Sequence, residues 1–430
     1  MNRSQAHDTA RRIFDAAVQR AQPRSYVARY LPKPKERGRL LLLGAGKAGA
    51  SMVQAAEDHY LNQLGVDRAR ILGLGITRHG YACKTSLVPI IQAGHPVPDL
   101  FGLAGTERML TLADRAGPDD TAVVLMSGGA SANLVAPAGA LSLTDKQVIT
   151  AALLRSGAPI DAINCVRKHL SRVKGGRLAA RLAPAEVYTL AISDVPGDDL
   201  GVIGSGPTVP DETTQAEALA ILERYRIAIS PAVAAVLTDP ALACPGKDHP
   251  AFQRTRSEII FRPCEALAAA REVAAAAGYE VIDLGADVAG EARTVAAAHA
   301  AMAVEAHATG RRVAILSGGE LTVTIRGKGR GGPNQEYAMA LAMALDGLPG
   351  MVALAGDTDG TDGGGGQATD PAGAIVDGQT LAAARARGLD AGALLADNDS
   401  TRFFTHAGGL ITTGPTLTNA NDLRVILVDP

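Results

Sequence analysis

Short apolar runs, each followed by glycines and then a helical pattern, recur along this chain, and they constrain its fold more than any other feature. Residues 39–43, 71–76, 122–126, 187–192, 313–316 and 351–355 are of strand length and lack polar alternation, the pattern of strands buried on both faces of a parallel sheet. Helical periodicity fills the intervals, over 48–63, 161–182 and 263–277 among others. Such alternation predicts an α/β fold with right-handed crossovers. With 430 residues, 47% of them hydrophobic, the chain can bury a large core and is expected to form roughly two or three domains.

Pro207, Pro210, Pro231, Pro240, Pro245 and Pro250 punctuate the stretch around 208–262, which shows no clear strand. A boundary near residue 240 is expected there. Residues 1–240 are read as an N-terminal Rossmann-like domain on a parallel sheet, and 241–430 as a second α/β domain. Ligands of open α/β sheets gather at the carboxyl ends of strands, so the active site is expected in the interdomain cleft.

A net charge of −2, from 42 basic and 44 acidic residues spread along the sequence, argues against nucleic acid or a membrane surface as partner. Small molecules are the expected partners, and self-association stays open. The cysteines, Cys83, Cys165, Cys244 and Cys264, form no C-x-x-C pair, which speaks against a disulfide framework or a structural zinc and fits a reducing cytoplasm. The first twenty residues lack the apolar stretch of a signal peptide, and no apolar run is long enough to span a bilayer.

Several strand ends look built for anions. Gly44-Ala-Gly46-Lys47-Ala-Gly49 opens a helix with dinucleotide-fingerprint spacing, yet the next strand runs into Thr77-Arg78-His79 rather than the acidic residue that would hold a ribose. NAD is disfavoured; NADP, with Arg78 on the 2′-phosphate, is the alternative. Lys47 also suits a phosphoryl group held by backbone N–H groups and an ammonium. Ser127-Gly128-Gly129-Ala-Ser131-Ala-Asn133 reads as a backbone nest with hydroxyls and an amide, and no Walker lysine motif occurs.

Within 161–182, Asn164, Arg167, Ser171 and Lys174 fall on one helical stripe suited to a substrate carboxylate. Asp194 follows the strand at 187–192 as a general base or metal ligand. Further on, Ser317-Gly318-Gly-Glu320 precedes a mobile basic loop, Lys328-Gly-Arg330-Gly-Gly-Pro333, that leads into a helix at Asn334-Gln-Glu336 whose N-terminus favours phosphate. Asp357, Asp359 and Asp362 crowd three carboxylates after the strand at 351–355. Carboxylates this close persist when a cation or oriented N–H donors neutralise them, and Mg²⁺ carried in with a phosphorylated ligand is the expected ion.

Taken together, Gly44-Ala-Gly-Lys47, Ser127-Gly-Gly-Ala-Ser131, Lys174-Gly-Gly, Ser193-Asp194-Val-Pro-Gly-Asp198, Ser317-Gly-Gly-Glu320, Gly331-Gly-Pro-Asn334-Gln-Glu336, Asp357-Thr-Asp359-Gly-Thr-Asp362-Gly, Asn398-Asp399-Ser400 and the closing Asn419-Ala-Asn421-Asp422 resemble the MOFRL-type glycerate 2-kinases in order and over almost the full length. The resemblance implies a two-domain α/β enzyme that moves the γ-phosphoryl of ATP to the 2-hydroxyl of D-glycerate with Mg²⁺. It also implies critical roles for Lys47 and for an Arg of the basic loop. Some members carry that Arg directly before the Asn-Gln/Ala-Glu element, where this chain has Pro333, so Arg330 is the candidate to replace it. An older label of this family, hydroxypyruvate reductase, supplies the rival reading of an NADP-dependent enzyme.

Overall fold

In the computed structural model, which describes residues 3–363 and 365–430, each of the six apolar runs forms a strand. Pro23–Phe261 make one compact unit; Met1–Gln22 and Arg262–Pro430 together make the other. The sheet of the first unit contains β1 (Leu40–Ala45), β2 (Ile71–Arg78), β3 (Ile90–Ala93), β4 (Thr121–Met126), β5 (Glu186–Ile192) and β6 (Thr255–Phe261). All pairings are parallel and the order is β3-β2-β1-β4-β5-β6.

Every residue of β1 and β4 is buried. Leu41, Leu43, Val124 and Met126 share a core with Met109 and Leu110 of the helix Leu100–Ala113, each contributing at most about 1.5–3 kcal/mol of transfer free energy. Between β1 and β4 the strand order reverses, which is where an open α/β sheet leaves a crevice at its carboxyl edge.

A second core in the same unit joins the helices Leu143–Arg155, Ile160–His169, Gln215–Arg224 and Pro231–Thr238 through Ile149, Leu153, Val166, Leu170, Leu222 and Val236. Capping boxes at Ser142 and Thr214 start two of these helices, and Ser230 followed by Pro231 starts a third, satisfying N–H groups the helix itself cannot. These helices and β6 explain why the first unit runs to Phe261 rather than ending near residue 240. The proline-rich stretch packs as helices, and β6 completes the first sheet beside β5.

The single helix expected over 161–182 is two helices, Ile160–His169 and Arg177–Leu182. Gly175 and Gly176, at φ +56° and +77°, adopt a left-handed turn that breaks it. Lys174 therefore does not lie on one helical stripe with Arg167.

In the second unit the strands are β7 (Glu280–Asp283), β8 (Gly290–Glu291), β9 (Val313–Gly318), β10 (Leu321–Thr322), β11 (Met351–Asp357), β12 (Gly373–Asp377), β13 (Leu410–Ile411) and β14 (Asp422–Val428). The main sheet has the order β13-β12-β11-β14-β9-β7, with β8 and β10 pairing separately. It is not the parallel sheet expected: β14 lies antiparallel between β9 and β11. An apolar run reports burial on both faces but not strand direction. The helix Arg3–Arg20 buries Ala10, Ile13, Phe14 and Ala17, and the Phe14 ring packs against Gly356, where a Cβ would come within 3.0 Å of it. That contact ties the helix Arg3–Arg20 to this unit. Among the described residues no helix is long and apolar enough to cross a membrane.

Candidate active site

The turn after β1 and the turn after β4 are bonded to each other. Lys47 N–H donates to Gly128 O at 2.8 Å, Ala48 N–H to Ser127 Oγ at 2.9 Å, Gly46 N–H to Ile76 O at 3.1 Å and Gly49 N–H to Gly46 O at 3.0 Å. Gly46 has φ +113°, and a Cβ there would lie 2.4 Å from Ser127 O. The glycine thus admits a neighbouring loop, not a pyrophosphate. Gly44 meets Val53 in the same sense, a Cβ at 2.4 Å from its Cγ2. The amides of Gly46, Lys47, Ala48 and Gly49 are already satisfied, and Ser127, fully buried, has its hydroxyl engaged in the turn.

What this locked turn presents is the Lys47 side chain. Gly129, at φ +81°, carries it: a Cβ there would sit 3.1 Å from Lys47 Cγ and 3.0 Å from His95 Cδ2. Lys47 and His95, both half-buried, therefore flank one bare patch of backbone. Asp194 is also half-buried and two residues past β5, on the carboxyl edge that β4 and β5 share.

Behind this edge lies a cluster of basic side chains, with Lys146 and Lys174 buried and Arg167 half-buried. Lys174 is 1% exposed, and its Nζ donates to Ser131 O at 2.9 Å and Gly204 O at 3.4 Å. Ser131 Oγ meets Ser205 Oγ at 2.8 Å, and Ser205 donates to Asn164 Oδ1 at 3.4 Å. Lys146 Nζ donates to the carbonyls of Arg167 and Leu170 at 3.2 and 3.1 Å. Burial, reinforced by Arg167 and Arg177, pushes the Lys146 amine down to about 7. Burial together with Lys146 and Arg167 holds Lys174 well below the usual lysine range.

Burial also lowers Arg167. Among the described residues none of these three cations forms an ion pair, and the Arg167 guanidinium has no hydrogen-bond partner. Asn133 donates to Gly94 O at 2.9 Å, while its Oδ1 is buried without a donor. Buried like charges without counterions are costly unless an anion arrives to neutralise them.

In the second unit the carboxyl ends of β9 and β11 flank the start of β14. Its Arg424, 1% exposed, donates from Nε to Ser317 Oγ at 2.9 Å and from Nη2 to Gly319 O at 2.9 Å and to Gly318 O. Nη1 reaches Asp422 Oδ2 at 3.3 Å. Ser317 and Gly318 thus anchor a buried guanidinium rather than a ligand. Glu320 is exposed.

Asp362, expected as a metal ligand, caps a helix. It accepts from Asn334 N at 2.9 Å, Gln335 N at 2.8 Å, Asn334 Nδ2 at 3.2 Å and Gln335 Nε2 at 3.0 Å. These are the first amides of Pro333–Leu345, so the helix N-terminus expected to hold phosphate already holds a carboxylate. Burial nevertheless raises Asp362 to about 7, against the Asn334 and Gln335 amides.

Nor is the basic loop loosely held. Asn398 Oδ1 accepts from Arg326 N and Gly327 N at 2.8 and 3.0 Å, Asp397 Oδ1 from Lys328 N at 3.0 Å and Asp399 Oδ1 from Arg330 N at 3.1 Å. Glu336 belongs to this scaffold, bridging Arg293 at 2.7 Å and Asn398 Nδ2 at 3.0 Å. Arg326, Lys328 and Arg330 project outward from the stapled backbone, and Arg330, 71% exposed, reaches Asp370 at 3.7 Å.

Asp357 and Asp359 remain at the end of β11. Asp357 Oδ1 accepts from Asp359 N at 2.8 Å, and Asp359 Oδ1 from Thr361 N and Oγ1 at 2.9 Å. One half-buried and one fully buried carboxylate suit a hard ion that takes one or two protein oxygens and completes its shell with phosphate and water.

Lys146, Ser205, His95 and Arg424 escaped the sequence reading. Only the lysine carries a local signal, a cation on an otherwise apolar helix face.

A family model described as a domain of unknown function, DUF4147, matches residues 9–238, and the MOFRL family model matches 313–422. A D-glycerate 2-kinase of Thermotoga maritima is 37% identical, covering 97% of both chains. A protein of Agrobacterium vitis that carries a provisional hydroxypyruvate reductase name is 44% identical, over 98% of this chain and 94% of its own. The crystal structure of glycerate kinase from Thermotoga maritima superposes with a TM-score of 0.83 at 36% identity, over 98% of this chain and 99% of that one.

Proposed function

This chain belongs to the MOFRL-type glycerate 2-kinase family of enzymes, and we propose that it moves the γ-phosphoryl group of ATP to the 2-hydroxyl of D-glycerate, giving 2-phosphoglycerate and ADP. The observation that carries this reading is the cluster of buried Lys146, buried Lys174 and half-buried Arg167, three basic side chains with no carboxylate paired to them. Such a site favours a small carboxylate substrate and rejects its uncharged analogue, because without the anion the cations stay desolvated and unneutralised.

In this reading Arg167 meets the glycerate carboxylate, the hydroxyls of Ser131 and Ser205 and Asn133 Oδ1 hold its hydroxyls, and Lys47 lies against the transferring group. Asp194 accepts the proton of the 2-hydroxyl as that oxygen bonds to the γ-phosphorus and the bond to the β,γ-bridging oxygen breaks. Arg330 adds positive charge toward the nucleotide phosphates. Asp357 and Asp359 would hold Mg²⁺, which neutralises phosphate charge when bound. Positioning and charge neutralisation are most of what phosphoryl transfer asks of a protein.

The hydroxypyruvate reductase name borne by relatives has one structural argument for it, the Rossmann-like strand order of the first sheet. Against it, the amides of Gly46, Lys47, Ala48 and Gly49 are all engaged within the protein. Arg78, wanted for a 2′-phosphate, is 4% exposed and stacked 3.7 Å from the Tyr81 ring centroid. The deciding assay follows ADP release from ATP and D-glycerate with and without Mg²⁺, and identifies the phosphoglycerate isomer by NMR. Nicotinamide oxidation with hydroxypyruvate and no ADP release refutes the kinase reading; 3-phosphoglycerate as product refutes the 2-hydroxyl assignment. Lys47→Met is expected to lower kcat at least about 100-fold with an unchanged circular dichroism spectrum, and near-normal turnover removes Lys47 from the chemistry.

A further inference from the structure

We infer that His169, Asp211 and Cys244 form a binding site for one thiophilic divalent ion of the Zn²⁺ class, which ties three segments of the first unit together behind the Lys174 turn. This inference does not depend on the phosphoryl-transfer reading. One ligand atom from each residue lies within 4.8 Å of the other two. Cys244 Sγ and His169 Nδ1 are 3.6 Å apart. Zn–S of about 2.3 Å and Zn–N of about 2.05 Å, opened to the tetrahedral angle, put sulfur and nitrogen ~3.6 Å apart.

The surroundings are those of a prepared site. His169 and Asp211 side chains are 1% and 0% exposed. Asp211 Oδ1 is fully engaged by Lys168 Nζ at 3.2 Å, Thr213 N at 3.1 Å and Thr213 Oγ1 at 2.9 Å. Its Oδ2 is buried with no partner of hydrogen-bonding geometry, with the Cys244 thiol beside it. His169 Nε2 is 3.2 Å from Thr213 Oγ1 and 3.7 Å from Asp211 Oδ2, which orients the ring with Nδ1 toward the sulfur. Arg177 Nη1 donates to Sγ at 2.7 Å.

Donors to the far oxygen of a carboxylate and to a thiolate, and an acceptor such as Thr213 Oγ1 for the N–H of the second ring nitrogen, are what hold metal ligands in place. On binding, the Cys244 thiol gives up its proton to solvent and ligates as the thiolate. Carboxylate and thiolate then cancel the ion's two charges. Lys168 and Arg177 remain as hydrogen-bonded cations and set the affinity below that of an all-cysteine site.

A Cβ at Gly175 would stand 2.7 Å from Cys244 Sγ and 3.1 Å from Asp211 Oδ2. The cluster therefore backs directly onto the residue following Lys174. The ion would fix that turn through the end of the helix Ile160–His169, the segment carrying Asp211 and the segment carrying Cys244.

The test uses the full-length enzyme, stripped of transition metals and kept in saturating Mg²⁺ so that hard-ion sites are supplied, then titrated with Co²⁺ as a spectroscopic probe. One Co²⁺ per chain is expected, with a thiolate-to-metal charge-transfer band and the intense visible bands of tetrahedral cobalt, both abolished by one equivalent of Zn²⁺. Cys244→Ser removes the charge-transfer band, and Thr213→Val weakens Zn²⁺ about 10–100-fold while leaving the band. No charge-transfer band in the wild type, or a band that survives in folded Cys244→Ser protein, overturns the inference. Should Cys244→Ser not fold, retention of the band in a Cys83→Ser/Cys264→Ser variant supports the site and its loss overturns it.

Discussion

Replacing Lys146 by methionine is expected to stabilise this protein while damaging its substrate site, and the size of the effect follows from where the amine sits. Lys146 is 6% exposed and its amine falls from 10.5 to about 7. A shift of roughly 3.5 units corresponds to a burial cost of about 5 kcal/mol when the amine is charged in both states. For a base whose folded value is lowered, that cost is complete below pH 7. It shrinks as pH rises from 7 toward 10.5, and at pH 9 about 2 kcal/mol remains.

The hydrogen bonds to the Arg167 and Leu170 carbonyls return about 1 kcal/mol each. Methionine removes both terms, so Lys146→Met is expected to gain ~3 kcal/mol at pH 6 and nearly nothing at pH 9. Urea unfolding of both proteins at the two pH values, in chloride buffers free of phosphate and carboxylate, measures this directly. The same variant should raise KM for D-glycerate, because the anion loses part of the charge that draws it in. A variant less stable at pH 6, or equally displaced at both pH values, refutes the idea that Lys146 is a buried charge awaiting a counterion.

Gly129→Ala tests the bare patch under Lys47: with φ +81° and a Cβ 3.1 Å from Lys47 Cγ, it should lower kcat while the melting temperature falls only a few degrees, and unchanged kcat separates Lys47 from that patch. Asp362→Asn distinguishes a helix cap from a metal ligand. An acid raised to about 7 in the folded state takes up protons on folding, so wild-type stability should fall as pH rises from about 4 to 7. The variant should flatten that slope and leave the Mg²⁺ concentration for half-maximal rate unchanged, whereas a large increase in that concentration returns Asp362 to the metal set.

How much of this was legible depended on whether the signal was local. Strand-length apolar runs, the glycine after each and the Lys47 turn are local, and all appear where the pattern put them. Strand direction is not local: β9 and β11 read alike whether a parallel partner or β14 lies between them. The helix-capping contact of Asp362 was invisible for the same reason, since it acts across twenty-eight positions to Asn334. Lys146, Ser205 and Arg424 matter through neighbours that only folding supplies. A search by cysteine spacing likewise cannot see His169, Asp211 and Cys244, which share no motif.

The place of β14 bears on how the polypeptide is made. A ribosome delivers β14 after every other strand of its sheet, yet it occupies the middle of that sheet and every one of its residues is buried, so β9 and β11 have no bonding neighbour between them until residues 422–428 have emerged. The helix Arg3–Arg20, delivered before any of the strands, rests on the same layer. That half must keep the helix Arg3–Arg20 and β14 waiting for one another, while Pro23–Phe261 can close on the ribosome as soon as β6 has emerged. A chain stalled or clipped before β14 would leave two apolar strand edges open to other molecules, which makes synthesis through residue 428 a condition of solubility as well as of shape.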